Sequence, residues 1–171
     1  TDIINMGQRV LDTEGPFSVE AIFKHDTLSS MQAIVGEMGN NNTIGEFIIN
    51  SMPGGALRFM RRHSASSAVT TTLTDDGVIA HGNWYHVICI FDGSAYLIYV
   101  NDVLVTTTTT TGVYTRIQNN FTCVGNDVGI FYPLKGQVAM IKLYNVDISS
   151  SVSIRYRLSQ TGYIYPIMHP R

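Results

Sequence analysis

The spacing of carboxylates is the first place where this sequence could reveal chemistry. Hydrolysis of a glycosidic bond needs two Asp or Glu side chains that face each other across the sugar linkage. Asp12 and Glu14 form a short pair ahead of the first clear strand, and Glu20 is the lone acid of its strand, which we interpret as a structural carboxylate with a partner. No Gly-x-Ser-x-Gly motif is present, and neither cysteine has a neighbouring His motif. The sequence therefore predicts a protein that is not an enzyme.

A basic cluster is the next candidate for chemistry, and it consists of Arg58, Arg61, Arg62 and His63. Successive side chains of a strand point to opposite faces, so Arg58 and Arg62 should share a face that Arg61 does not. Two interpretations stay open. The cluster is either a solvated strand end or an ion-pairing patch for an acidic protein partner or an acidic glycan. The second makes Arg58, Arg61 and Arg62 candidate binding residues.

Metal binding rests on three residues near turns, Asp92, Asn126 and Asp127. Calcium takes six to eight oxygen ligands, several of them usually carboxylates. The alternative is that these side chains hydrogen-bond to their own backbone and make turns. We expect no cofactor, and calcium is the one metal for which the sequence offers ligands. The histidines show no close pair of the kind that zinc sites use.

Four residues with chemically versatile side chains have structural interpretations. Trp84, the only Trp, stands at a predicted strand start and is expected to anchor the core, with a sugar-stacking platform as the alternative. His86 alternates with core residues and is also expected to be structural. Cys89 and Cys123 lack zinc spacing and are expected to be two buried thiols rather than a disulfide.

Composition narrows the class of partner. Charged residues make up 14% of the 171 residues, against about a quarter in an average domain, so association with other proteins is favoured. A net charge of −2 argues against nucleic acid. No apolar run is long enough to cross a membrane, and no signal peptide is visible, so we expect synthesis in the cytoplasm.

The elements that must position these residues are mostly strands. Apolar residues alternate with a period of two, as in Phe17–Phe23, and runs dense in β-branched and aromatic residues follow at Tyr85–Phe91 and Tyr96–Val100. Asn101-Asp102 lies between two such runs and predicts a two-residue hairpin turn. The six threonines of Thr106–Thr111 are expected to continue the second strand of that hairpin, as a polar solvent-facing strand or as a ladder of binding hydroxyls. One short helix is predicted within 149–158.

Several of these stretches carry a resemblance when they are taken in order. They are Gly15–Lys24, His81–Val87, Phe91–Ser94, Ile98–Val105, Val124–Asp127 and Leu134–Asn145. Together they resemble the laminin-G-like jelly rolls of the concanavalin-A-like lectin/glucanase superfamily. The resemblance implies an all-β fold with two antiparallel sheets, in a single domain over residues 1–171 with a core at about 15–158 and extensions for docking at both ends. Glucanases of this architecture share a Glu-x-Asp-x-x-Glu motif, which this sequence lacks.

The function expected from these observations is binding or assembly. Low charge, thiols and apolar termini favour a structural protein of a larger particle, most of all a virion accessory protein that decorates a phage capsid or belongs to a fibre. Its partners would be a capsid or fibre protein or further copies of itself. The alternative, which rests on the family resemblance, is a glycan-binding lectin-like adhesion module at an extracellular or cell-surface location.

The C-terminal segment 162–171 supplies the last candidates. Pro166 and Pro170 disfavour helix there, yet Tyr163 and Tyr165 belong to a stretch that is too apolar for a solvated end. We therefore expect this segment to lie extended in a groove, either of its own sandwich or of a neighbouring subunit. Tyr163 and Tyr165 are candidate partner-binding residues because aromatic side chains are common in interface cores.

Overall fold

Alternating side chains give the chain its strands. From Phe17 to Phe23 the odd-numbered residues point inward and are at most 1% exposed. The computed structural model describes residues 4–8, 10–39, 46–62, 69–111, 114, 120–126 and 132–160. Its strands are β1 (Ile4–Asn5), β2 (Phe17–His25), β3 (Gln32–Gly39), β4 (Phe47–Ser51), β5 (Leu57–Arg62), β6 (Val69–Leu73), β7 (Trp84–Phe91), β8 (Ala95–Val100), β9 (Val103–Thr109), β10 (Asn120–Val124) and β11 (Gly136–Tyr144).

Two antiparallel sheets face each other, which confirms the predicted sandwich. The first sheet has six strands in the order β1-β10-β3-β4-β5-β6, and the second has five in the order β11-β2-β7-β8-β9. One apolar core lies between them and joins aromatic residues of both sheets, among them Phe17, Phe47, Phe59 and Phe91. Cys89 and Cys123 are both buried and carry thiols rather than a disulfide, as predicted.

The N-terminal residues belong to the first sheet rather than to a separate extension. Ile4 pairs with Val124, and Asn5 pairs with Cys123. A two-residue strand is too short to show a period in the sequence, so the resemblance alone placed the start of the core near residue 15. The described part of the N-terminal extension is therefore a short edge strand.

The turn between β8 and β9 forms at the predicted residues. Asn101 and Asp102 have φ angles of 49° and 76°, in the left-handed region that Asn and Asp tolerate. The Asn101 side chain accepts a hydrogen bond from the backbone N–H of His86 at 3.0 Å, which ties the turn to the neighbouring strand. β9 then continues into the threonine run and ends at Thr109.

A short helix covers part of the outer face of the second sheet. It begins with a 3-10 turn at Ser149–Ser151 and continues as α1 (Val152–Gln160), close to the predicted position. Ile148 and Val152 pack on Ile88 and Ile90 of β7. The two outer faces of the sandwich therefore differ, because α1 lies over the second sheet.

Candidate functional site

The outer face of the first sheet carries two of the predicted arginines. In β5, Leu57 and Phe59 point into the core, so Arg58, Met60 and Arg62 point to the opposite face. Arg58 pairs with Asn50 of β4, which places both side chains side by side on this face. We call Asn50, Arg58, Met60 and Arg62 the arginine face.

Arg58 is held in place by two uncharged side chains among the described residues. Its Nε donates a hydrogen bond to Asn50 Oδ1 at 2.9 Å, and its Nη2 lies 3.0 Å from Met31 Sδ. Burial lowers the pKa of Arg58 below its usual value, although the group stays far from neutrality at any physiological pH. A guanidinium has five N–H donors, so several remain for an acceptor that approaches from outside.

Arg62 presents a second cation on the same face. Its side chain is half-buried, and its Nε is buried with no hydrogen-bond partner among the residues that the structure describes. The same holds for Nδ2 of Asn50. Within those residues neither Arg58 nor Arg62 has a carboxylate at ion-pair distance. The arginine face therefore combines two cations with donors that lack acceptors.

Apolar side chains separate the two arginines. Met60 forms a small cluster with Ala33 and Ile48, and all three are at most 6% exposed. Residues 58 and 62 are four positions apart on one strand, which sets their Cα atoms about 13 Å apart at ~3.3 Å per residue. The arginine face thus has a buried apolar cluster between two partly exposed positive groups.

Arg61 does not belong to this face, which corrects its assignment to a binding patch. It points into the sandwich and is 2% exposed. Its guanidinium carbon lies 3.5 Å from the ring centroid of Tyr114 and 4.5 Å from that of Phe91, and Nη2 donates to the carbonyl oxygen of Thr13. Burial lowers the pKa of Arg61, while the nearby Tyr96, Tyr114 and Glu46 act in the opposite direction. Arg61 is a cation held by aromatic rings inside the core.

The predicted calcium ligands are not brought together. Asp92 follows β7 at the end where Phe91 pairs with Phe17, the first residue of β2. Asn126 follows β10 near Ile34, at the end where Gln32 contacts His25, the last residue of β2. The two positions are separated by roughly the length of β2, about 25 Å at ~3.3 Å per residue. Asp127 lies outside the described residues.

Asp92 acts as a turn-maker, the alternative that the sequence left open. Its carboxylate accepts hydrogen bonds from the backbone N–H groups of Ser94 and Ala95, both at 2.7 Å. Burial opposes ionisation, but these hydrogen bonds outweigh it and hold the pKa of Asp92 below its usual value. Asn126 is 1% exposed. Over the described part of the chain, no group of three or more His, Cys, Asp or Glu side chains could hold a metal ion.

Trp84 is on the surface, and its assignment as a core anchor is wrong. It is 47% exposed at the start of β7, where its side chain points away from the core. The ammonium of Lys24 lies 5.6 Å from its ring centroid. The sequence placed Trp84 next to an apolar run but could not show that Tyr85, rather than Trp84, takes the inward position at this end of the strand. The sugar-platform alternative for Trp84 stays open.

His86 and Glu20 are structural, as predicted. Glu20 is fully buried and accepts hydrogen bonds from His86 Nε2 at 2.9 Å and from Tyr144 Oη at 2.5 Å. Arg155 of α1 reaches the same carboxylate at 3.3 Å. The sequence did not indicate that Tyr144 and Arg155 are partners of Glu20, because only tertiary packing brings them to β2.

Besides Asp127, three candidate positions fall outside the described residues, namely His63, Tyr163 and Tyr165. The docking of segment 162–171 therefore stays a prediction.

The sequence also did not indicate that Asn50 and Met31 hold Arg58. Their proximity depends on the register between β4 and β5, for which the sequence has no local signal. Within the described residues, no helix is both long and apolar enough to cross a membrane.

Solved structures with the same fold include proteins that bind sialylated glycans. The CBM40 of Ruminococcus gnavus IT-sialidase, bound to α2,3-sialyllactose, has a TM-score of 0.70 and 14% identity, with 83% of each chain covered. NanB sialidase from Streptococcus pneumoniae has a TM-score of 0.75 and 21% identity, over 90% of this chain and 26% of that one. The binding domain of botulinum neurotoxin DC, in complex with SialylT, has a TM-score of 0.65 and 13% identity, over 84% of this chain and 35% of that one.

Sequence comparison gives the family directly. No curated relative matches the sequence. The structural similarities, all below 25% identity, establish the fold alone. The laminin-G-type family model of the concanavalin A-like lectin/glucanases superfamily matches residues 1–151. The chain therefore belongs to the concanavalin A-like lectin/glucanases superfamily.

Proposed function

We propose that this protein is a non-catalytic carbohydrate-binding module and that its arginine face binds an acidic glycan. The observation that carries the proposal is the pair of half-buried arginines, Arg58 and Arg62, which have no carboxylate partner among the described residues. A buried or half-buried cation is costly unless a ligand or partner compensates it. A carboxylate on a sugar would supply that compensation.

The chemistry of the arginine face fits such a ligand. Arginine binds carboxylates through parallel N–H···O hydrogen bonds, which fix orientation as well as charge. Asn50 Nδ2 is a buried donor without an acceptor among the described residues, so a ligand would have to reach below the surface to bind it. Met60 and Ile48, which are 6% and 3% exposed, form a buried apolar layer between the two arginines. Sialyllactose, the ligand named for one structural neighbour, has a carboxylate.

The structural neighbours support this function better than the assembly role that we first favoured from the sequence. Two of those neighbours are described in complex with sialylated ligands, and both are binding domains rather than catalytic ones. A glycan-binding module would act at an extracellular or cell-surface location. A place on a virion stays a prediction, because no contact among the described residues bears on it.

The experiment that tests the proposal is titration calorimetry with 3′-sialyllactose, 6′-sialyllactose and lactose. We expect the two sialylated sugars to bind and lactose to bind at least tenfold more weakly. Arg58→Gln and Arg62→Gln should each weaken binding by about tenfold or more, because a hydrogen bond to a charged group contributes ~1.5–3 kcal/mol. Lys24→Gln, which removes a positive charge from the outer face of the second sheet, is the matched control and should bind like the wild type.

Three outcomes would overturn the proposal. Lactose binding as strong as sialyllactose binding would show that the acidic group is not recognised. If both arginine variants bound sialyllactose with unchanged affinity, the glycan site would have to lie elsewhere. If the protein bound no sialylated sugar while its melting temperature showed that it was folded, the proposed function would be wrong.

A further inference from the structure

One flank of the sandwich carries the edge strands of both sheets. β6 is the last strand of the first sheet, and β9 is the last strand of the second. They lie next to each other, and Thr70 Oγ1 is 3.4 Å from Thr110 Oγ1. We call the residues of β6 and β9 the threonine flank. Both layers of the sandwich therefore end together at the threonine flank.

Two of the features that usually protect sheet edges, charge and proline, are missing from the strands of the threonine flank. Exposed edge strands are normally interrupted by charged side chains, by proline or by short length, because their unpaired backbone groups would otherwise pair with another strand. Val69–Leu73 and Val103–Thr109 contain neither a charged residue nor a proline. Four large apolar side chains on these strands are between 40% and 62% exposed, namely Val69, Leu73, Val103 and Leu104.

The opposite flank is protected in the expected way. There the first sheet ends in β1, which has only two residues. The second sheet ends in β11, whose register shifts between Val138 and Met140 and which carries Lys142. β9 also has a register shift, at Val105 between Leu104 and Thr106. The two flanks therefore differ in the length of the edge strand of the first sheet and in the absence of charge from β6 and β9.

We propose that the threonine flank is a homodimer interface in which β9 pairs antiparallel with β9 of a second copy. Antiparallel pairing of a strand with itself needs a two-fold axis, and a run of identical threonines is complementary to itself about such an axis. Cross-strand Thr–Thr pairs stabilise antiparallel sheets. Pairing of this kind would extend the second sheet to ten strands.

A second sandwich fits this flank better than a peptide does. A single extended peptide could pair with the edge of one sheet only. A second copy brings its own β6 alongside its β9, so the exposed Val69 and Leu73 can pack across the same seam. The contact is a strand pair with a small apolar addition, at the low end of the range for specific interfaces, so we expect a dimer that dissociates in the micromolar range.

Sedimentation equilibrium of the full chain over a wide concentration range tests this inference. The wild type should show a reversible monomer–dimer equilibrium. Thr107 and Thr109 are exposed, so the double variant Thr107→Lys/Thr109→Lys should keep its fold. It should shift dissociation to at least tenfold higher concentration, because like charges meet across the two-fold axis. Gln137→Lys, an exposed substitution on β11 at the opposite flank, is the matched control and should dimerise like the wild type.

Hydrogen exchange gives an independent measurement of the same contact. Backbone amides of residues 103–109 should exchange more slowly as the protein concentration rises, and those of β1 and β11 should not change. A wild type that stays monomeric at millimolar concentration would overturn the inference, and so would a dimer that the lysine pair leaves intact. Sedimentation uses no glycan, so the outcome of the dimer test can be read apart from that of the proposed glycan site, although Val69 and Leu73 of β6 pair with Arg62 and Arg58.

Discussion

At the scale of single residues, position on the strand decides what each large side chain does. Trp84 and Phe23 illustrate this, because they lie near each other in the second sheet but on opposite faces. Phe23 is fully buried between the sheets, whereas Trp84 is 47% exposed and has the Lys24 ammonium 5.6 Å from its ring centroid. The free energy of unfolding should therefore depend on Phe23 far more than on Trp84.

Replacement of Trp84 by alanine should change stability little. We expect a loss of less than about 1–2 kcal/mol in Trp84→Ala, whereas Phe23→Ala should lose about 3–5 kcal/mol as a buried aromatic does. Chemical denaturation of both variants measures the difference. If Trp84→Ala lost as much stability as Phe23→Ala, the indole would have to be a core residue after all.

The arginines of β5 show what the sequence could and could not predict at this scale. Alternation along a strand correctly predicted that Arg58 and Arg62 share a face without Arg61. Alternation also places Arg61 on the face of Leu57 and Phe59, but it could not show that this face accommodates a buried arginine, because the residues that surround the guanidinium are distant in sequence. Here those residues are Thr13 and Tyr114.

At the scale of elements, a buried polar cluster fastens α1 to the second sheet. Arg155 of the helix donates to Tyr144 Oη at 2.6 Å and reaches the Glu20 carboxylate, while Tyr156 stacks on His86 with ring centroids 5.9 Å apart. Burial disfavours the charged form of Glu20, but the hydrogen bonds from His86 and Tyr144 and the nearby positive charges outweigh it. The pKa of Glu20 is therefore lowered.

This cluster predicts a specific loss of stability in acid. A carboxyl group whose pKa is lower in the folded than in the unfolded state stabilises the fold fully above its unfolded pKa, near 4.5 for Glu20, and less as the pH falls through and below that value. Glu20→Gln should lose about 1–3 kcal/mol at neutral pH and show a flatter decline of melting temperature between pH 6 and 3. Thermal melts across that range provide the measurement.

Glu14→Gln is the control for the acid experiment, since it removes an exposed carboxyl group ahead of β2. Its melting temperatures should follow those of the wild type. Parallel curves for the wild type and Glu20→Gln would mean that the Glu20 carboxylate does not contribute to the acid sensitivity. Sequence analysis identified α1 and the acid, but the packing that joins them involves residues more than 120 positions apart.

At the scale of the whole molecule, the described fold is held by its core and its hydrogen bonds without a disulfide. Cys89 lies between the sheets and Cys123 on the first sheet, and both are at most 1% exposed. Burial in an apolar environment raises the pKa of the Cys89 thiol, which suppresses the reactive thiolate. Cys89 therefore acts as a small apolar side chain, and Cys123 is equally inaccessible to solvent.

The thiols should be unreactive until the protein unfolds. In the native state we expect a chromogenic disulfide reagent to modify neither cysteine over an hour, and in denaturant we expect it to modify both. A reducing agent should leave the melting temperature unchanged. Rapid modification of one cysteine in the native protein would contradict the described burial, and a lower melting temperature under reduction would reveal a bond between them.

The layer order α1, second sheet, first sheet gives the molecule a back and a front. The helix occupies the back, and the arginine face lies on the front, with the thickness of two sheets between them. A surface to which this protein is attached through its helix would therefore meet the back and leave the front turned towards the medium. Immobilisation through a linker placed after Gln160 should orient every copy the same way. Coupling through Lys24 or Lys142 of the second sheet should attach the molecule by the same back, because both side chains lie on the outer face that α1 partly covers.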